Sequence, residues 1–163
     1  MKRQSLFRRI SKHIFRAIGV LLAIWTIWSL IPIKQTINPI QPRADTQYWI
    51  MQDGYKISYT KIIGNTTNRN PTVIFLHGGP GGYVHSSIIN QMKEVAQNGY
   101  DVYLYDQIGS GLSDRLPKPK DYSFEKHLRD LNEIINTQIK AENIILIGHS
   151  FGGILATHYT ANH

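Results

Sequence analysis

The 163-residue sequence contains no cysteine, which excludes a disulfide framework, a thiolate metal site and a cysteine nucleophile. Its seven histidines show no His-x3-His spacing and no comparable pairing with acidic residues on one helix face. We therefore expect no metal site, and no motif for another cofactor is visible.

Acidic residues are absent before Asp45, whereas six of the 18 Lys and Arg residues lie within the first 16 positions. The remaining twelve basic residues are nearly balanced by 11 acidic ones. The net charge of +7 therefore comes from the N-terminal tip rather than from a patch on a folded surface. A nucleic-acid-binding domain needs such a patch, so we expect no nucleic-acid partner.

Charged residues are also absent from residues 17–33, which read AIGVLLAIWTIWSLIPI. A run of about seventeen residues is the lower limit for crossing a bilayer core. Since Lys and Arg are denser before this run than after it, the positive-inside rule predicts a cytoplasmic N-terminus and an extracytoplasmic domain. We favour an uncleaved signal-anchor helix over a cleaved signal peptide or a soluble core helix. The run is longer than the usual signal-peptide region, and Ile31-Pro32-Ile33-Lys34 offers no small-x-small cleavage site.

The chain is thus divided into four parts. We predict a basic cytoplasmic tip at residues 1–16, a transmembrane signal-anchor helix at 17–33, a linker at 34–46 and a folded domain at 47–163. No sequence feature defines an oligomeric state.

In the folded domain, short apolar runs alternate with segments of helical periodicity. Asp53-Gly54 lies between two β-prone runs and predicts a hairpin. The predicted strands are 47–51, 55–62, 72–76, 101–105 and 144–147; the predicted helices are 87–98, a segment capped by Ser123, and 154–161. This order predicts a mostly parallel sheet covered by helices.

Glycine-rich segments follow three of the predicted strands. They are HGGPGG at 77–82, DQIGSG at 106–111 and GHSFGG at 148–153. Because ligands of such sheets bind outside the carboxyl ends of the strands, we expect the three segments to meet at one site.

The third segment has the Gly148-x-Ser150-x-Gly152 spacing of a nucleophile elbow. A sharp strand-to-helix turn exposes the serine hydroxyl, and its strained backbone needs small residues two positions before and after. The N-terminus of the following helix favours negative charge, so the Phe151 N–H is a candidate oxyanion donor. The alternative is a glycine-rich turn in which Ser150 only caps a helix.

The first segment is a candidate source of the second oxyanion donor. We expect the Gly79 N–H to supply it, with Gly78 as the next candidate and His77 as a support of the loop. A phosphate-binding loop is the alternative, but the sequence has no GxxxxGK[ST] pattern and GGPGG lacks the GxGxxG spacing.

These motifs resemble those of the α/β-hydrolase fold superfamily, specifically its proline iminopeptidase-like branch. The matching residues are HGGPGG at 77–82, DQIGSGLSD at 106–114 and GHSFGG at 148–153. The resemblance implies a mostly parallel sheet with helices on both faces, and a serine hydrolase acting on a small-molecule or short-peptide substrate. Ile108 stands where the branch usually has arginine, and Phe151 where iminopeptidases often have tryptophan. The candidate substrates are therefore amides and esters as well as peptides with an N-terminal proline.

The resemblance also implies that the triad acid and histidine follow the serine along the chain. His158 and His163 would lie on the helix after Ser150, about 12 Å and 20 Å along its axis. Because a base must lie within about 3 Å of the hydroxyl, we expect neither to serve. We expect the His149 side chain to point elsewhere, and Asp106 to brace a loop rather than act in catalysis.

Two functions remain open at this point. The first is a membrane-anchored serine hydrolase that forms an acyl-enzyme on Ser150, with its acid and histidine missing from this chain. The five recognisable strands, where the fold usually has eight, lead us to expect the front half of a longer enzyme. The second is a catalytically inactive truncated fragment or pseudo-hydrolase.

Overall fold

The computed structural model describes residues 2–32, 39–65 and 70–162, and in the first helix it describes side chains from Ile10 onward. The chain divides into two units, residues 1–39 and 40–163, and each is described by itself. The first contains one helix, and the second contains a sheet with its covering helices.

Helix α1 spans Lys2–Ser29 in the first unit. Its Ile10–Ser29 part is 20 residues long and has a mean hydropathy of 1.5, and none of its residues is buried, so it is long and apolar enough to cross a membrane. The hydroxyls of Thr26 and Ser29 donate to backbone carbonyls one turn earlier, both at 2.8 Å, and are satisfied without water.

The boundaries of α1 differ from those of the predicted span at 17–33. The helix begins within the basic tip, because residues 1–16 contain good helix formers and neither glycine nor proline. It ends at Ser29, three residues before Pro32, in keeping with the tendency of helices to end ahead of proline. Residues 33–38, which include the end of the predicted span and the start of the predicted linker, lie outside the described residues.

The second unit contains a five-stranded sheet and three longer helices. The strands are β1 (Thr46–Ile50), β2 (Lys56–Ile62), β3 (Thr72–Leu76), β4 (Val102–Tyr105) and β5 (Ile144–Gly148). The helices are α2 (Ser86–Gln97), α3 (Phe124–Glu133), which continues as a π-helix over Ile134–Ile139, and α4 (Phe151–Asn162). Each predicted strand is present with its ends within one residue. The helix predicted at 154–161 begins earlier, at Phe151, directly after the elbow serine.

Four of the five strands point in the same direction. The sheet order is β1-β2-β4-β3-β5; β2 is antiparallel to both of its neighbours, and β3 is parallel to β4 and β5. Leu76, the last residue of β3, is in register with Tyr105 and with Gly148. The three glycine-rich segments therefore leave the sheet side by side at one edge.

Helices cover both faces of this sheet, as the resemblance implied. Successive residues of β3 point to opposite faces, so Val73 and Phe75 belong to one core and Ile74 and Leu76 to the other. The first core contains residues of α2 (Ile89, Ala96), and the second contains residues of α3, its π-helical continuation and α4 (Leu131, Ile134, Ile135, Leu155, Tyr159). Ser123 caps α3 as predicted, since its Oγ accepts from the Lys126 N–H at 3.2 Å.

A buried ionic cluster joins the β1–β2 turn to α3. Lys126 Nζ lies 2.8 Å from Asp130 and 3.0 Å from Asp53, and the Lys126 and Asp130 side chains are 8% and 5% exposed. The Tyr55 hydroxyl contacts Lys126 Nζ and donates to Asp130. Burial and the Asp130 hydrogen bond raise the pKa of Tyr55, so the phenol stays protonated. The cluster therefore fixes α3 against the hairpin.

Substitution of Lys126 by alanine tests this cluster. Lys126→Ala leaves the buried Asp130 carboxylate without its cation, and we expect a loss of about 3 kcal/mol in the free energy of unfolding. Denaturant unfolding of the detergent-solubilised full chain measures the change. The matched control is Lys93→Ala, because the Lys93 side chain is exposed and bonds only Asn90 among the described residues. For this variant we expect a change of less than about 0.5 kcal/mol. Equal effects of the two substitutions would contradict the interpretation.

Candidate active site

Ser150 occupies a sharp turn between β5, which ends at Gly148, and α4, which begins at Phe151. Its φ is 53°, in the left-handed region that residues other than glycine rarely adopt. The turn is held because the His149 N–H donates to the Leu76 carbonyl (3.0 Å) and the Gly152 N–H donates to the His149 carbonyl (2.9 Å). The predicted strand–turn–helix context of the elbow is therefore present.

The chain around this turn is packed so closely that only glycine fits at positions 148 and 152. A Cβ at Gly148 would lie 2.4 Å from the Gly152 carbonyl oxygen, and one at Gly152 would lie 2.1 Å from the Leu76 carbonyl oxygen. Both distances are far inside van der Waals contact. The absence of side chains at these two positions lets α4 begin against the end of β3.

The Ser150 side chain faces an open cleft of about 340 Å³ shared with the first glycine-rich segment. Gly78 lies against the serine, since a Cβ built there would come within 3.1 Å of Ser150 Cβ. Ser150 is exposed, and its Oγ bonds no other side chain or carbonyl within the described parts of the chain. The hydroxyl is thus accessible to a ligand that enters the cleft.

The backbone N–H groups of the predicted oxyanion donors are without an acceptor among the described residues. These are the N–H groups of Gly78, Gly79 and Phe151. Gly78 and Gly79 line the same cleft as Ser150, and Phe151 provides the first N–H of α4, where the helix dipole favours negative charge. The residues predicted as oxyanion donors are therefore neighbours of the serine with unused donors.

His77 supports the first loop as a neutral imidazole. The Gln107 N–H donates to His77 Nε2 at 2.9 Å, so this nitrogen carries no proton, and Nδ1–H donates to the Gly78 carbonyl at 2.8 Å. The Gln107 side-chain amide also donates to the His77 carbonyl at 2.9 Å. Burial lowers the pKa of His77, in agreement with the neutral form. Both ring nitrogens are occupied in loop contacts.

Asp106 connects the second glycine-rich segment to two other elements. Its carboxylate accepts from the Val84 N–H (2.7 Å), the Leu112 N–H (2.9 Å) and the Ser58 hydroxyl (2.9 Å). It is buried, and a side chain at Gly111 would collide with it. This geometry agrees with the predicted bracing role, because both carboxylate oxygens are already engaged.

The Phe151 ring packs against two aromatic residues of α3 that the sequence interpretation missed. It makes edge-to-face contacts with Phe124 (6.0 Å between centroids) and His127 (5.5 Å). Burial lowers the pKa of His127, so this ring too is neutral at pH 7. α3 therefore fixes the side chain of Phe151, the residue directly after Ser150 whose N–H is a predicted oxyanion donor. Aromatic residues three apart on the predicted helix were the only signal available in the sequence.

The remaining histidines of the prediction have separate positions. His158 packs edge-to-face on Phe124 at 5.2 Å and contacts Asn162, while His163 lies outside the described residues. His149 was expected to point elsewhere, yet it lines the cleft beside Ser150. Among the described residues, no group of three His, Asp or Glu side chains has an arrangement that could hold a metal ion.

Comparison with known proteins gives a family match over this region. The sequence profile described as "alpha/beta hydrolase fold" matches residues 71–163. The proline iminopeptidase of Saccharolobus solfataricus is 34% identical over 124 residues, which cover 69% of this chain and 39% of that protein. The proline iminopeptidase of Clostridioides difficile is 31% identical over 114 residues, which cover 70% of this chain and 38% of that protein. The chain thus spans about two fifths of the length of these relatives.

Solved structures agree in fold. An alpha/beta hydrolase from Novosphingobium aromaticivorans superposes with a TM-score of 0.63 at 24% identity, covering 75% of this chain and 41% of that one. VinJ superposes with a TM-score of 0.63 at 28% identity, covering 75% of this chain and 40% of that one.

Two adjacent glycines provide a test of the elbow geometry. Gly152→Ala places a methyl group 2.1 Å from the Leu76 carbonyl oxygen, and we expect it to destabilise the chain by about 2 kcal/mol or more through overpacking. At Gly153 the nearest atom would be 3.6 Å from the new Cβ, and alanine favours a helix, so Gly153→Ala should stabilise by roughly 0.5–1 kcal/mol. Thermal unfolding of both variants measures the difference. A Gly152→Ala protein as stable as Gly153→Ala would show that α4 does not approach β3 this closely.

Proposed function

We propose that this chain, which belongs to the α/β-hydrolase fold family, is a serine hydrolase whose nucleophile is Ser150. The observation that carries the proposal is the left-handed backbone of Ser150 at a strand-to-helix turn, with its hydroxyl exposed in a cleft. A serine that merely capped a helix would have an extended backbone and a side-chain bond to the first turn. Ser150 has neither of these among the described residues.

The chemistry follows from the groups around the serine. Ser150 Oγ attacks the carbonyl carbon of the substrate, and its proton passes to a general base. The carbonyl oxygen becomes an oxyanion that accepts from the Phe151 and Gly79 N–H groups, with Gly78 as the next candidate. The leaving amine or alcohol takes a proton and departs, and water then cleaves the acyl-enzyme and regenerates the serine.

Among the described residues, no histidine ring is hydrogen-bonded to Ser150 Oγ, although His149 and His85 line the same cleft. His77 uses both ring nitrogens in loop contacts, and His158 packs on Phe124. The resemblance puts the acid and the histidine of the triad beyond the elbow, and the chain covers about 39% of a proline iminopeptidase. Our proposal assigns both roles to polypeptide outside this sequence.

The class of substrate is proposed from the relatives. Two proline iminopeptidases match this chain at 34% and 31% identity, which favours peptides or amides with an N-terminal proline. Esters belong to the same proposal, because acyl transfer through a serine proceeds by the same steps for esters and amides. We infer no cofactor and no nucleic-acid partner.

Covalent labelling tests the nucleophile. The gene product in membranes of its own cells is treated with a fluorophosphonate, and the mass of the labelled band is measured. We expect labelling that Ser150→Ala reduces by at least 100-fold, because no other hydroxyl lies at the elbow. Ser86→Ala is the matched control, since this exposed serine lies outside the cleft, and it should label as the parent does.

Two results would count against the proposal. Labelling that survives Ser150→Ala would show that another residue reacts. A folded native protein that does not label would favour the alternative of an inactive fragment or pseudo-hydrolase.

We further propose that α1 anchors the protein in a membrane, with the N-terminal tip in the cytoplasm and the hydrolase domain on the other side. The length and hydropathy of Ile10–Ser29 support the span. The concentration of Lys and Arg before the apolar run supports the orientation. An uncleaved anchor is favoured over a signal peptide by the length of the run.

The absence of cysteine makes this topology directly measurable. Single-cysteine variants Gln4→Cys and Glu142→Cys are treated with a membrane-impermeant maleimide in sealed, right-side-out vesicles. We expect Glu142→Cys to react at once and Gln4→Cys only after the vesicles are opened, because the two sites lie on opposite sides. The reverse pattern would invert the topology, and release of the Glu142→Cys domain from the membrane would indicate a cleaved signal peptide.

A further inference from the structure

Helix α1 is longer than the hydrocarbon core of a bilayer is thick. At 1.5 Å per residue its 28 residues measure about 42 Å, whereas the hydrocarbon core measures about 30 Å. The charge-free part of the helix, residues 17–29, measures only about 20 Å. The helical span of sufficient length, Ile10–Ser29, therefore takes Lys12 and Arg16 into the half of the membrane that faces the N-terminal tip.

Lys12 and Arg16 belong to a basic face of α1. The two residues are four positions apart, so they lie one above the other on one side of the helix. Arg8 and Arg9, four and three positions before Lys12, occupy the same side one turn earlier. The side chains of Lys12 and Arg16 are exposed. The name basic face is used below for Arg8, Arg9, Lys12 and Arg16.

The opposite side of the same turns is apolar. Ile10 and Ile14 are four positions apart, lie about half a helical turn from the basic face and are exposed at 49% and 53%. Aliphatic side chains at this level of the span pack against lipid chains. The positive charge is therefore concentrated on one side of the helix instead of forming a ring around it, and several cations are presented to a single ligand.

The position of the basic face favours an anion at the level of the lipid headgroups. Side chains of a helix lean toward its N-terminus, and long Lys and Arg side chains extend toward the membrane surface. From Lys12 and Arg16 this direction leads to the lipid phosphates. Both residue types bind phosphate through charge-assisted hydrogen bonds, so two cations one turn apart can share one phosphate group.

The net charge of α1 favours lipids whose headgroup is negative. The helix contains six basic residues and no acidic one. A zwitterionic lipid carries its own ammonium group beside the phosphate, whereas an anionic phospholipid leaves its phosphate charge for the protein to neutralise. Basic clusters next to a membrane span are attracted to anionic lipids for this reason.

We propose that the basic face of α1 is a binding site for the headgroup of an anionic phospholipid in the leaflet that faces the N-terminal tip. The phosphate accepts hydrogen bonds from the Lys12 ammonium and the Arg16 guanidinium, and Arg8 and Arg9 add positive charge one turn closer to the surface. The ligand is a lipid rather than free phosphate, because Lys12 and Arg16 lie within the span. The inference rests on the proposed anchoring of the protein by α1.

Lipid selectivity of the full chain tests the site. The protein is reconstituted in phosphatidylcholine vesicles that contain a trace of spin-labelled phosphatidylglycerol or of spin-labelled phosphatidylcholine. Electron paramagnetic resonance measures the fraction of each probe that the protein immobilises. Both leaflets have the same composition, so the orientation of the reconstituted chain does not affect the result. We expect phosphatidylglycerol to associate about fivefold more strongly than phosphatidylcholine.

Two double variants with equal loss of charge provide the matched comparison. Lys12→Gln with Arg16→Gln removes two cations from the basic face. Lys2→Gln with Arg3→Gln removes two from the same helix, about 12 Å before the span begins, whereas a headgroup layer is about 5–8 Å thick. Glutamine is a good helix former, so α1 should persist in both, which circular dichroism checks. We expect the first pair to lower the selectivity about fourfold and the second to change it by less than about 1.5-fold.

The outcomes separate this inference from the proposed function. Equal loss of selectivity in the two double variants would overturn the site, because it would indicate diffuse attraction of the whole tip to a charged surface. A parent chain with no preference for phosphatidylglycerol would overturn it as well, as would release of the labelled lipid by inorganic phosphate in the buffer. Cysteine accessibility decides independently whether α1 crosses the membrane, and fluorophosphonate labelling decides whether Ser150 is the nucleophile.

Discussion

The close approach of α4 to the carboxyl end of β3 is the constraint on which the candidate site depends. The Gly152 backbone lies so near the Leu76 carbonyl that no side chain fits between them. This contact forces the chain to turn sharply after β5, and the residue at the apex, Ser150, has a left-handed backbone as a result. The exposure of its hydroxyl and the position of the Phe151 N–H both follow from that turn.

The loops around the serine are held together by buried polar groups rather than by apolar packing alone. Asp106 connects β2, the first loop and the second loop through three hydrogen bonds. His77 joins the first and second loops, because its Nε2 and its carbonyl both accept hydrogen bonds from Gln107. Because each of these buried groups is satisfied, the loops gain a defined geometry without an uncompensated charge near the cleft.

Most of the fold and the centre of the site could be predicted from local sequence signals. The strands are short apolar runs bounded by turn residues, and Ser123 caps α3 in the expected way. The elbow could be predicted because the glycines at 148 and 152 are needed for steric reasons that depend only on nearby backbone. Local geometry that depends on a single segment was therefore predictable from the sequence.

Features that combine residues far apart along the chain could not be predicted from the sequence. Lys126 and Asp130 are buried because the β1–β2 hairpin supplies Asp53 and Tyr55 as partners, and helical periodicity carries no sign of that. The walls of the cleft combine β3, the first loop and α2, so their assembly was not visible either.

At position 150, the stability of the fold would be served best by glycine, whereas a hydroxyl at the turn requires serine. A residue with a Cβ in this region is disfavoured by roughly 1–2 kcal/mol, whereas glycine adopts it freely. A variant chosen only for resistance to unfolding would therefore gain by exchanging this serine for glycine, and it would lose its only hydroxyl at the turn. The fold holds the proposed nucleophile in a backbone conformation that residues with a Cβ rarely adopt, and the surrounding hydrogen bonds offset that cost.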